Sequence, residues 1–244
     1  MKNKDQKVIA VMPAYNAART LKKTVADIPA NTVDKVILVD DHSSDETVKV
    51  AKELNLTVVT HPQNRGYGGN QKTCYTLALS EGADVVVMIH PDYQYDSSLT
   101  AEMVKPILEG KCDVMLGSRI RTRAEALAGG MPKYKYIGNR FLTLVENTVL
   151  GQNLSEYHTG FRAFSKKSLE NLPFHTYSDD FVFDSQILFG CIANNERIGE
   201  ISVPVRYFEE ASSINFWRSC IYGLTILRDL LIYSVTGGKY FIKH

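Results

Sequence analysis

The 244-residue sequence lacks an excess of either charge: 28 Lys and Arg stand against 27 Asp and Glu, leaving a formal net charge of +1. Such a balance gives no field for steering onto duplex DNA or RNA, and no run of one sign is long enough to act as a tail. Nucleic acid is therefore set aside as a partner. Cysteine is scarce as well. Cys74, Cys112, Cys191 and Cys220 are widely spaced and form no C-x-x-C pair, which excludes a zinc knuckle or a dithiol motif and suggests buried thiols in a reducing compartment. The first seven residues have neither the n-region nor the h-region of a signal peptide, so a cytoplasmic location is expected. No apolar stretch of membrane-spanning length is free of charge. The nearest, residues 219–238, holds Arg228 and Asp229 at its centre, each costing about 2.5–3.5 kcal/mol at a bilayer midplane. Internal repeats, low-complexity segments and linkers are absent too. No G-x-G-x-x-G and no G-x-x-x-x-G-K-[ST] occurs, so neither the dinucleotide fingerprint nor a P-loop is present.

What is present is an alternation. Apolar runs of strand length at residues 8–12, 36–39, 56–60, 85–89 and 114–116 are separated by helical spacings such as Leu21, Val25 and Ile28. Ser43 with Glu46 three residues on has the spacing of a capping box and places a helix start there. Further helices are expected near residues 70–80, 136–150 and 180–194, and a final strand near 201–207. Alternation of this kind predicts an α/β fold built on a mainly parallel sheet flanked by helices. We expect one fused domain: residues 1–118 as a nucleotide-binding half, 119–210 as an acceptor half, and 211–244 as a helical tail. In the tail, Trp217, Ile221, Leu224, Leu227, Leu231 and Val235 recur at steps of three or four. That face is expected to pack on the body or a partner subunit, or else to lie in a membrane interface.

In an open parallel sheet, ligands gather beyond the carboxyl ends of the strands. Here each of the first four strands ends in a polar cluster: Pro13-Ala14-Tyr15-Asn16, then Asp40-Asp41-His42-Ser43, then Asn64-Arg65-Gly66-Tyr67-Gly68-Gly69-Asn70, then His90-Pro91-Asp92-Tyr93-Gln94. Each alone is weak, since Asp before Ser is often a cap and Gly-rich loops are usually turns. Together they mark one site. Asp40 and Asp41 can accept from a base N–H and ribose hydroxyls, while Asp92 and Gln94 offer oxygens to a hard cation. A nucleoside diphosphate with Mg²⁺ or Mn²⁺ fits these groups.

The segments VIAVMPAYN (8–16), ILVDDHSSDET (37–47), NRGYGGN (64–70), HPDYQ (90–94), GSR (117–119) and HTGFRAF (158–164) resemble the inverting family-two glycosyltransferases of the GT-A fold, above all their dolichol-phosphate mannosyltransferase-like branch. The resemblance implies transfer of a sugar from a nucleoside-diphosphate donor (UDP, GDP or dTDP) with inversion, to a glycan hydroxyl or a polyprenyl phosphate. It implies that Pro13, Tyr15 and Asn16 border the base, that Asp40 binds it and that Asp92 holds the metal. Ala14, Asp41, Ser43, Asn64, Gly66, Gly69 and Arg162 are expected to complete the donor site, with His90 and Gln94 as further metal candidates. Two positions depart from the family. His90 replaces the first acid of an Asp-x-Asp motif, and a ligand role and a positioning role both stay open for it. Residues 209–213, Glu-Glu-Ala-Ser-Ser, replace the basic residue and glycine that lipid-phosphate relatives commonly carry.

Arg119, Arg121, Arg123, Lys133, Lys135 and Arg140 form a cationic stretch able to hold a leaving diphosphate or an anionic acceptor. A hydroxyl acceptor would also need a base. Asp180 is the first candidate for it, with Asp179, Glu156 and His158 behind. Two other readings remain open: a nucleotide-sugar-binding module without catalysis, and a sugar-phosphate nucleotidyltransferase, which would want a basic Gly-rich loop after the first strand.

Overall fold

The computed structural model describes residues 6–120, 123–204 and 216–243. Seven strands, β1 Val8–Ala14, β2 Lys35–Asp40, β3 Thr57–Thr60, β4 Val85–Met88, β5 Val114–Ser118, β6 Arg162–Ser165 and β7 Ile198–Ser202, form one sheet in the order β3-β2-β1-β4-β6-β5-β7. All pairings are parallel except those of β6, which runs against β4 and β5. The helices are α1 Leu21–Ala26, α2 Thr47–Glu53, α3 Tyr67–Ser80, α4 Thr100–Leu108, α5 Arg123–Ala128, α6 Lys133–Leu150, α7 Lys166–Glu170, α8 Phe183–Ala193 and α9 Phe216–Thr236. The mainly parallel α/β sheet expected from the alternation is what forms.

The unbroken apolar runs follow from burial on both faces of the sheet. Val8, Ala10 and Met12 of β1 pack towards α1, α2 and α4, while Ile9 and Val11 pack towards α3 and α8. Pro13 sits beyond the last β4 partner of β1, Val11, where its missing N–H leaves no ladder bond unmade. β1 and β4 part at that point, and the polar clusters line the opening.

Several boundaries move. The last strand ends at Ser202, and residues 205–207 of the expected strand lie outside the described residues. The capping box does not form: Ser43 Oγ accepts the Asn16 amide at 2.9 Å, while Asp45 Oδ1 accepts the Thr47 amide at 3.0 Å and also the Thr47 hydroxyl. Strand β6 was not foreseen, being four residues long with an arginine at its head. Cys74, Cys112 and Cys191 are buried, but Cys220 is exposed on α9.

The largest correction concerns α9. Of the six residues expected to form one face, Trp217, Ile221, Leu224, Leu231 and Val235 point outward and are 64–78% exposed, while Leu227 is partly buried, so the face does not pack on the body and the partner-subunit and membrane readings of it stay open. The helix packs instead through Ile226, Asp229 and Leu230, with Tyr222 and Tyr233 partly covered. Asp229 is only 1% exposed, and its carboxylate accepts from Gln186 Nε2 of α8 at 2.7 Å and from Arg228. A face centred on a carboxylate does not look like a packing face in an apolar pattern, so the period by itself could not tell the face that packs on the body from the one that points outward.

Candidate active site

At the end of β2 the Asp40 carboxylate is 2% exposed; Oδ2 accepts the Ser43 amide at 3.0 Å, and Oδ1 is buried with no partner. A buried acceptor without a donor is costly unless a ligand supplies one. Asn16, in the left-handed region at φ 53°, turns the chain after β1 and accepts the Ser44 amide at 2.9 Å. These bonds tie the first two polar clusters together, with Ala14 buried and Tyr15 59% exposed beside them.

Asp41 turns into the chain rather than outward. It accepts from His61 Nδ1 at 2.7 Å, the Arg65 amide at 2.8 Å and the Gly66 amide at 3.1 Å. Asn64 donates to the Asp41 carbonyl at 3.2 Å. The glycines likewise serve packing: the amides of Gly68 and Gly69 donate to the Asp179 carbonyl at 2.7 and 3.3 Å. At Gly66, where φ is +84°, a Cβ would lie 2.7 Å from that same oxygen. Lys72 fixes the far side by pairing with Asp179 at 2.7 Å and donating to the Tyr177 carbonyl. The Gly-rich motif is thus a joint between α3 and residues 177–179, with the amides of Gly66, Gly68 and Gly69 already engaged.

The fourth cluster opens on a groove of about 230 Å³. His90, Asp92 and Gln94 lie on one side; Arg119, Lys135, Asn139 and His158 lie on another; Met131, Tyr134, Leu142, Phe181 and Tyr222 supply apolar walls. Tyr93, between Asp92 and Gln94, holds φ 60°, an uncommon conformation for a bulky residue and a mark of a constrained site. The His90 ring lies parallel to that of Tyr67, with centroids 5.4 Å apart, and Nε2 is 3.3 Å from Tyr67 Oη. Burial lowers the His90 pKa against the pull of Asp92 and Asp184, which favours the neutral ring. Gly160 of the HTGFR motif makes room for it, since a Cβ there would fall 2.7 Å from His90 Cδ2 and Nε2.

Tyr67 also donates to Asp184 Oδ2 at 2.7 Å, and Gln71 Nε2 donates to Asp184 Oδ1 at 3.0 Å. Burial first, and then Asp184, raise the Tyr67 pKa and keep its hydroxyl protonated. Tyr67 and Asp184 escaped the sequence reading. Their signal was present in the tyrosine inside the Gly-rich motif and in a third aspartate one helical turn after Asp180.

Arg119 is held on all sides by the chain. Its amide donates to Glu156 Oε2 and its Nε to Oε1, both at 2.8 Å; its terminal nitrogen donates to Glu156 and to the His158 carbonyl. Glu156 is fully buried, and although burial pushes its carboxyl up, the Arg119 guanidinium holds the pKa below the usual glutamate value. Burial and Arg119 together lower that of Lys135. His158 Nε2 lies 3.1 Å from the buried Glu146 carboxylate, within ion-pair range but off the line of a hydrogen bond.

Two expected site residues are placed elsewhere. Arg162 is fully buried and donates to the carbonyls of Thr159, Tyr157 and Asp184, so it braces the groove from behind. Asp180 is exposed, 3.6 Å from Arg218, and does not line the groove. Among the described residues no group of three His, Cys, Asp or Glu side chains could hold a metal by itself. Asp92, with Gln94 in the same groove lining, offers oxygens to an ion that draws its remaining ligands from a diphosphate and water, the usual habit of Mg²⁺, while the His90 nitrogen would suit Mn²⁺ better.

The model for Glycosyl transferase family 2 matches residues 9–172, from β1 through β6. The chain belongs to that family. This glycosyltransferase is 29% identical over 222 residues to the UDP-N-acetylglucosamine–dolichyl-phosphate N-acetylglucosaminyltransferase of Methanococcus voltae, covering 84% of this chain and 88% of that one. It is 28% identical over 210 residues to the low-salt glycan biosynthesis hexosyltransferase Agl6 of Haloferax volcanii, covering 84% of this chain but 48% of the relative. Among solved structures, glucosyl-3-phosphoglycerate synthase from Mycobacterium tuberculosis, in complex with Mn²⁺, UDP and phosphoglyceric acid, superposes with a TM-score of 0.71. That match covers 94% of this chain and 79% of the other at 17% identity. The likeness establishes the GT-A fold.

Proposed function

We propose that this glycosyltransferase moves a sugar from a UDP-linked donor to a polyprenyl phosphate, inverting the anomeric carbon, with Mn²⁺ or Mg²⁺ bound at Asp92. The observation that carries the acceptor is the lack of an uncommitted carboxylate base among the described groove residues. Asp92 stands with the metal candidates, Asp184 already accepts from Tyr67 and Gln71, and Asp180 is outside. A hydroxyl acceptor would need a base, for which the groove then leaves only an imidazole, such as His158 beside the buried Glu146 carboxylate, whereas a phosphate arrives anionic. Arg119, Lys135 and His158 offer positive or hydrogen-donating groups to it, and the apolar walls suit the first isoprene units.

The unpaired Asp40 Oδ1 is suited to an imide N–H of uracil, and UDP appears in the name of the Methanococcus relative and in the crystals of the Mycobacterium enzyme. Asp92, with His90 and Gln94, would hold the ion, which neutralises charge developing on the departing diphosphate. A phosphate oxygen attacks the anomeric carbon opposite UDP; one carbon–oxygen bond forms as the bond to UDP breaks, and no proton has to be removed from the nucleophile. Arg119, fixed by Glu156, is pre-oriented, which is how electrostatic stabilisation avoids reorganisation during reaction.

The test supplies UDP-N-acetylglucosamine or UDP-glucose, Mn²⁺ and a short polyprenyl phosphate. The reading expects a sugar-linked polyprenyl phosphate and free UDP, and loss of both in Asp92→Ala. Donor binding without UDP release would favour the non-catalytic module.

A further inference from the structure

Ten large apolar side chains stand exposed on two adjacent helices: Tyr134, Ile137, Phe141, Leu144 and Val149 on α6, and Trp217, Ile221, Leu224, Leu231 and Val235 on α9. The two helices pack against each other. Only Tyr15 and Tyr240 among the exposed large apolar residues described lie elsewhere. Contiguous apolar surface of this kind marks an interaction site.

Charge says what covers it. Each helix has a single acidic residue, and both are turned inward: Glu146 is 0% and Asp229 1% exposed. The basic side chains are not withdrawn in the same way. Arg218 and Arg228 are 59% and 62% exposed, and Lys133 is exposed at the start of α6. Among the described residues the two helices thus present an apolar and basic outer face with no exposed carboxylate of their own; an exposed carboxylate beside it, Asp180, stands 3.6 Å from Arg218. No helix among the described residues is long and apolar enough to cross a membrane. A face of apolar residues flanked by Lys and Arg, too short and too charged to span, is the pattern of an interfacial helix on anionic lipid.

The face also meets the groove. Tyr134, Lys135 and Asn139 of α6 and Ser219 and Tyr222 of α9 line it, so both helices wall the groove. We propose that α6 and α9 together form a docking surface for an anionic bilayer, which sets the groove mouth at headgroup depth. A lipid acceptor would then enter without leaving the membrane. This last step rests on the proposed acceptor; the docking itself does not.

Trp217 is the sole tryptophan and is 75% exposed on this face, so its emission reports insertion directly. The experiment mixes the full chain with vesicles of phosphatidylglycerol and phosphatidylcholine, or phosphatidylcholine alone, with no polyprenyl phosphate and no donor. Expected are flotation with the anionic vesicles at low salt, a blue shift of Trp217, and weakening as salt rises. Ile221→Ser with Leu224→Ser, both outside the groove, should weaken partitioning by about tenfold or more, from the lost buried apolar area, while UDP still raises the melting temperature. Three results overturn the proposal: the parent stays unbound to anionic vesicles, the double variant floats equally well, or the parent sediments as a dimer that the double variant dissolves. Vesicle binding without sugar transfer would leave the docking standing and count against the acceptor alone.

Discussion

Tyr67 donates its hydroxyl to Asp184 across 117 positions of sequence, at 2.7 Å, and so ties the head of α3 to the head of α8 beneath the groove. The same oxygen lies 3.3 Å from His90 Nε2. One hydroxyl therefore sets both a wall of the groove and the orientation of the ring beside Asp92. In Tyr67→Phe the Asp184 carboxylate loses its shortest bond, and a buried acceptor deprived of a partner costs about 1–3 kcal/mol. Calorimetric melting should show a loss of that size. Turnover should fall more than UDP affinity, because Asp40 is untouched; equal losses in both would contradict this division.

The bond between Arg119 and Glu156 predicts a pH effect. The folded pKa of Glu156 lies below its ordinary value of 4.5, so its contribution to stability is complete above that value and is lost as pH falls through it towards the lower folded pKa. Glu156→Gln removes one partner of a buried pair, which costs about 3–5 kcal/mol. Melting curves at neutral pH should show this difference between parent and variant, and it should shrink as pH drops below 4.5. A difference constant with pH would rule out the charge pairing.

Asp40 offers a test of base recognition. Asp40→Asn can keep an oxygen towards the Ser43 amide, but then turns an amide N–H towards the position now held by the unpaired Oδ1. Hydrogen bonds to a charged group are worth about 1.5–3 kcal/mol, so UDP should bind roughly ten- to a hundredfold more weakly. Isothermal titration measures this, and unchanged affinity would remove Asp40 from the base site.

Gly160→Ala should act through His90. The new Cβ would stand 2.7 Å from the imidazole, so ring or backbone must shift, and overpacking of this kind costs about 1–3 kcal/mol. The variant should fold with a lowered melting temperature and lose transfer activity while keeping UDP binding. Full activity would mean that the position of His90 is unimportant.

The four parallel strands and their polar ends were legible because burial on both faces writes unbroken apolar runs, and because each run stops where the sheet opens. Asp40, His90, Asp92 and Gln94 were expected on that basis, and Arg119 from the GSR segment and the basic stretch that begins with it. Their neighbours could be found less well, since sequence shows a side chain's chemistry and not its partner. Asp41, Gly66, Gly69 and Arg162 have the chemistry of ligand-binding groups, yet their hydrogen bonds close within the chain. The outward stripe of α9 was visible as a period but not as a direction, because the inward face is centred on Asp229 bonded to Gln186.

The central claim is an anionic nucleophile in a groove whose described carboxylates all have other roles. It is tested most directly by offering the enzyme a polyprenyl phosphate and the matching polyprenol side by side, with UDP-N-acetylglucosamine or UDP-glucose and Mn²⁺, and measuring product by mass spectrometry. The account predicts a glycosylated polyprenyl phosphate and no glycosylated polyprenol. Transfer to the alcohol at a comparable rate would contradict it.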